Sequence, residues 1–123
     1  MTFVIPGTLP GLNEYINAER YHRQCAAKMK KQVEHTIMLI ARSQHHTAHF
    51  DKPVFMRYTW VERNRKRDKD NISFARKFVQ DSFVKCGILE NDGWKNIAGF
   101  SDRFLVDPKK PRVEVEIIES EEN

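Results

Sequence analysis

The chain has 123 residues, 40% hydrophobic and 31% charged, too apolar for a disordered chain and too charged for a membrane-embedded one. That length fits one domain around a single core. No apolar run approaches the roughly 18 residues that cross a bilayer, and Met1 to Pro10 has no basic segment leading into an apolar one, so no membrane association or secretion is expected and the setting is read as cytoplasmic.

The formal net charge of +4 hides an uneven distribution. The last ten residues hold Glu114, Glu116, Glu119, Glu121 and Glu122 and no base, so of 21 bases and 17 acids residues 1–113 keep 21 and 12, a net +9. Such a basic body points to a polyanionic partner, because each Lys or Arg on a phosphate releases condensed counterions. Cys25 and Cys86 have no C-x-x-C spacing and read as buried thiols in a reducing compartment.

In chain order, Thr2 to Ile5 reads as a strand closed by Pro6-Gly7. From about Asn13 to Ser43, Cys25, Met29, Val33, Ile37 and Ala41 recur every fourth residue, the apolar face of one long helix. After Pro53 a second strand places Val54, Met56, Tyr58, Trp60 and Glu62 on one face. A basic run, Arg63 to Lys69, leads into a helix from about Ser73 to Cys86, with Gly87 placed as a left-handed cap. Trp94 to Val106 is strand-like, Asp107 to Pro111 a hairpin turn carrying Lys109 and Lys110, and Val113, Val115 and Ile117 alternate with glutamates in a last strand. The expected fold is α+β: one sheet of about four strands with two packed helices, in the order β-α-β-α-β-β, forming a single domain over 1–118 with an acidic tail over 119–123.

The most informative segment is Arg65-Lys66-Arg67-Asp68-Lys69-Asp70-Asn71. Two carboxylates two positions apart on an extended chain share one side, and Asp92 is a third candidate farther on. Mg²⁺ takes oxygen ligands, commonly one or two protein carboxylates completed by water and phosphate. Acids interleaved with bases suit phosphate chemistry better than phosphate binding alone, since carboxylates without a metal repel DNA.

Arg67-Asp68-Lys69-Asp70-Asn71, then Lys77, Gln80-Asp81, Gly87-Ile88-Leu89 and Asp92 together resemble the signature of the RusA-type Holliday-junction resolvases, many of them phage-borne, most closely over residues 65–97. The resemblance implies catalytic roles for Asp68, Asp70, Asp92 and Lys77, with the three aspartates as metal ligands. It implies Mg²⁺ as cofactor, with Mn²⁺ as a substitute, a homodimer that nicks a four-way DNA junction symmetrically, and the cytoplasm of a bacterial or phage-infected cell. Five residues, Ile72 to Arg76, separate Asn71 from Lys77, more than in the shortest members, so Arg76 is an alternative cation. A continuous helix from Asp70 puts Lys77 two turns on, roughly 10 Å along nearly the same face, within reach of the acids. Asp92 closes the cluster within one subunit only barely, and supply from a partner subunit is the alternative.

Arg63, Arg65, Lys66, Arg67, Lys69 and Lys95 are the expected DNA contacts, positioning phosphates without reading bases. His45 and His49, spaced to share a helical face, read as an exposed helix end rather than a zinc site. Trp60 reads as core, and Trp94 as core or base-stacking. A non-catalytic nucleic-acid-binding module, its acids bridged to neighbouring bases, and a nuclease for flaps, forks or RNA are the competing readings.

Overall fold

The computed structural model describes residues 1–120. Its elements are β1 (Thr2–Pro6), α1 (Leu12–Tyr21), α2 (Arg23–Gln44), β2 (Val54–Glu62), α3 (Lys69–Ser73), α4 (Arg76–Lys85), β3 (Ile97–Val106) and β4 (Arg112–Glu119). The α+β class holds: one four-stranded sheet is covered on one face by helices. The final strand runs through Glu119, one residue into the expected tail, and Glu121 and Glu122 lie outside the described residues.

The strand order is β1-β4-β2-β3, with β1/β4 and β4/β2 antiparallel and β2/β3 parallel. Period-two alternation sends Phe3 and Ile5 of β1, Val54, Met56, Tyr58 and Trp60 of β2, and Val113, Val115 and Ile117 of β4 to the covered face, all buried. Cross-strand register lines them up as Phe3–Val115–Tyr58 and Ile5–Val113–Trp60. Ile37 and Ala41 of α2 and Phe78, Val79 and Phe83 of α4 pack against that face.

Four expectations change. The segment Asp107 to Pro111 is not a hairpin, because β4 pairs with β1 and β2 while β3 lies on the far side of β2; Lys109 and Lys110 sit in a connector passing the end of β2. The long first helix is two helices. His22, extended at φ −165°, ψ 135°, breaks it and caps α2, its Nδ1 accepting from the Gln24 N–H at 3.0 Å. The apolar face is accordingly reset: Ala26 is buried, whereas Cys25 is exposed and Cys86 half-buried, so neither is the buried thiol expected. The second helix is also divided, α3 ending at Ser73 and α4 beginning at Arg76.

Gly87 performs as read. At φ +81° it ends α4, its N–H bonding Val84 O at 3.1 Å while Ile88 N–H bonds Phe83 O at 2.9 Å, the paired bonds of a Schellman cap. No helix among the described residues is long and apolar enough to cross a membrane.

Candidate metal and nucleic-acid site

The parallel pair β2/β3 fixes where the site lies. Both strands run toward Glu62 and Val106, and a crevice beyond the carboxyl ends of parallel strands is where open sheets with helical crossovers bind ligands. A cavity of about 610 Å³ is found there, lined by Glu62 from the end of β2, Asn64 and Arg65 from the following loop, Asp68, Lys69 and Asp70, and Phe104 to Val106 of β3.

Asp68 and Asp70 reach it by a route other than the expected extended chain. Asp68 is the residue before α3 and Asp70 lies in its first turn. The Asp68 carboxylate makes no capping bond to α3, and Asp70 Oδ1 accepts the Asn71 N–H at 2.9 Å. Among the described residues neither aspartate forms an ion pair, although bases surround them in sequence. Asn71, the last residue of the motif, is a buried anchor: its Oδ1 accepts the Asn13 N–H at 2.9 Å and ties α1 to α3.

The other two predicted catalytic residues lie elsewhere. Asp92 and Lys77 line a neighbouring groove of about 280 Å³ with Ser73, Phe74, Gln80 and Phe100. Lys77 forms no ion pair with Asp68 or Asp70 among the described residues; its Nζ lies 3.6 Å from Asp81. Among the described residues no three His, Cys, Asp or Glu side chains gather as a metal cluster. Asp68 and Asp70 thus line one cavity and Asp92 the neighbouring groove. A pair of carboxylates still fits Mg²⁺, which takes its remaining oxygens from water and phosphate.

Of the expected DNA contacts, Arg63, Arg65, Lys66 and Lys95 are exposed and form no ion pair among the described residues, and Lys69 is exposed with its Nζ 5.7 Å from the Phe104 ring. Arg67 is a correction. Its Nε and second guanidinium nitrogen donate to the two oxygens of Glu62, both at 2.9 Å, and it also bonds Glu14 at 2.9 Å and Leu9 O at 3.0 Å. Burial opposes its charge, yet the bonds and charges of Glu62 and Glu14 raise its pKa above the ordinary arginine value. Arg67 is a strut between β2, the loop before α1 and the cavity wall, not a free phosphate ligand.

Arg76, the alternative cation, is also committed: it pairs with Asp102 and stacks 4.3 Å over the Phe100 ring. Asp102 in turn accepts the Trp60 Nε1–H at 2.8 Å, so β2, β3 and α4 are joined by a polar chain through otherwise apolar packing. Nothing in the spacing of Asp102 marked it. Glu62 was visible as the last inward position of β2, but not as a cavity residue. His45 and His49 bond Thr2 O and Gly87 O, both at 2.7 Å, and Trp94 is 99% exposed, which removes its core reading. No family model matches the chain, and a search of curated proteins finds no match.

Proposed function

We propose that the protein is a divalent-metal-dependent, structure-selective endonuclease that resolves four-way DNA junctions as a two-fold homodimer, acting in the cytoplasm of a bacterial or phage-infected cell. One observation carries this reading: two carboxylates unpaired among the described residues, Asp68 and Asp70, share a cavity at the carboxyl end of the parallel strands, beside exposed Arg65 and Lys69. Two anions left without a cation beside so many bases are matched to a cation brought from outside. The same observation disfavours the binding-module alternative, which needs those acids bridged to the neighbouring bases.

Asp68 and Asp70 would hold Mg²⁺, or Mn²⁺ in its place, which supplies charge for the phosphate and a more acidic water. The chain's own bases do the positioning. Arg65 and Lys69 stand at the cavity, while Arg63 and Lys66 extend the positive surface along the loop and hold the flanking backbone without reading sequence. Asp92 and Lys77 act from the neighbouring groove; Asp92 joins the pair only through a shift of the segment around residue 92 or through supply by a second subunit.

The test is a panel of labelled four-way junctions, flaps, forks and RNA duplexes with Mg²⁺ or Mn²⁺. Symmetric, religatable nicks in the four-way junction are expected. Asp70→Asn should retain junction binding and lose cleavage by at least about a hundredfold, because a ligand is removed while phosphate contacts stay. Cleavage of no substrate with either metal sinks the proposal, and cleavage of flaps or forks alone moves it to another substrate.

A further inference from the structure

The two edges of the sheet are treated differently. At the β1 edge, Val4 N–H donates to Gln44 Oε1 at 2.8 Å and Gln44 Nε2 donates to Val4 O at 2.6 Å, so one side-chain amide stands where a neighbouring strand would bond. His45 Nε2, 2.7 Å from Thr2 O, closes the next position. The β1 edge is sealed.

The β3 edge is not. Among the described residues, no backbone hydrogen bond other than the ladder to β2 reaches residues 98–106. Lysine and proline, two common guards of a free edge, are absent from β3; its charges are Asp102, which is held by Trp60 and Arg76, and Arg103. Of the seven large hydrophobic side chains exposed among the described residues, three lie in this strand: Phe100 at 47%, Leu105 at 43% and Val106 at 45%. A ten-residue edge of this composition is a template for another strand.

The strand's own sequence identifies the partner. We infer that β3 pairs antiparallel with β3 of a second copy of this chain, about a two-fold axis perpendicular to the sheet through Ser101. Such an axis keeps each residue facing the same side as the residue opposite it; with Ser101 or Asp102 on the axis nine of the ten residues pair, whereas Phe100 or Arg103 there leaves only seven paired. Asp102 on the axis opposes two carboxylates and Arg103 opposes two guanidinium groups, and like charges directly across a ladder are destabilising. Ser101 on the axis opposes Asp102 to Phe100, Arg103 to Gly99, Phe104 to Ala98 and Leu105 to Ile97. No like charges meet, and the large side chains Arg103 and Phe104 fall across from the smallest ones in the strand.

The consequence bears on the proposed junction chemistry, on which the choice of a two-fold partner partly rests. The axis leaves the helices of both copies on one side of an eight-stranded sheet. Leu105, at the wall of the Asp68/Asp70 cavity, and its symmetry mate are eight residues apart along the ladder, roughly 26 Å at 3.3 Å per residue. The two cavities then lie at opposite ends of the joined strands, related by the two-fold symmetry that paired nicks on opposed strands require.

The experiment uses the full chain at about 50 μM in light scattering coupled to gel filtration. The expected mass is twice 14.5 kDa. Ser101→Lys, an exposed position outside the cavity, should give a folded monomer by circular dichroism, with the dimer dissociation constant raised at least tenfold. Ser101→Cys in a Cys25→Ser background should form a covalent dimer through residue 101 on mild oxidation. A monomeric wild type, or a Ser101→Lys dimer, overturns the inference. Should Ser101→Lys fail to fold, the cysteine variant decides, and its failure to cross-link overturns the inference as well. Cleavage is read separately: a cross-linked dimer that cuts nothing removes the nuclease and leaves this interface, whereas a monomer that nicks DNA does the reverse.

Discussion

Replacing Arg67 with alanine separates a structural arginine from a DNA-binding one. The guanidinium is held by both oxygens of Glu62, by Glu14 and by Leu9 O, while its side chain is only 21% exposed. Truncation leaves the buried Glu62 carboxylate without its cation. Breaking such a pair costs about 3–5 kcal/mol, and the residual exposure places Arg67→Ala near the lower figure, about 3 kcal/mol. Unfolding entropy of about 2.1 cal/mol/K per residue over 123 residues is about 0.26 kcal/mol/K, so the midpoint should fall by about 12 °C. Differential scanning calorimetry measures it directly. Adding Glu62→Gln to Arg67→Ala should recover a large part of the loss, since the stranded charge is then removed. A drop of less than about 4 °C, or no recovery in the double variant, refutes the strut assignment and returns Arg67 to the phosphate-contacting surface.

Three further outcomes follow from the packing. Glu34 is 2% exposed, with Oε1 bonded to Lys85 Nζ at 2.7 Å and Oε2 without a partner among the described residues; Lys85→Met should destabilise by about 3 kcal/mol in urea titration, and Lys85→Met with Glu34→Met by much less. Equal losses would show that the pair is not what matters there. A Cβ at Gly11 would stand 2.5 Å from Asn71 Oδ1 and 2.7 Å from Asn71 O, so Gly11→Ala must push α1 off its anchor, at about 2–3 kcal/mol by thermal melt; a shift under about 2 °C contradicts the contact. The exposed His49 donates its Nδ1–H to Gly87 O at 2.7 Å and faces Glu90 at 3.4 Å, which raise its pKa above the ordinary 6.5. Its stabilising contribution is therefore full below that value and lost as pH rises through the higher folded midpoint. An NMR titration should place that midpoint above 6.5, and Glu90→Gln should lower it; a midpoint at or below 6.5 refutes the assignment.

The strands were readable because alternation of apolar residues has one physical cause, a sheet with one covered face, and Phe3, Tyr58, Trp60 and Val115 all obey it. Strand neighbours were less readable. Val113 and Val115 alternate as they would in a hairpin with β3, and only the pairing with both β1 and β2 shows that the short link past Asp107 connects strands that do not touch. Nothing in the sequence marks the break at His22, because histidine is not a usual cap and no glycine or proline stands there. At the candidate site, Asp68 and Asp70 were legible from composition, spacing and resemblance. The commitments of Arg67 and Arg76 were not, since their partners Glu62, Glu14 and Asp102 are set by tertiary contact.

The position of β4 between β1 and β2 ties the earliest part of the chain to one of the latest. Until residues 112–119 have left the ribosome, β1 has no strand to join and β2 shows an open flank, so a growing polypeptide cannot finish its sheet early. Stalled or shortened products ending before β4 would present two unpaired strand edges at once, each a template for pairing with another chain.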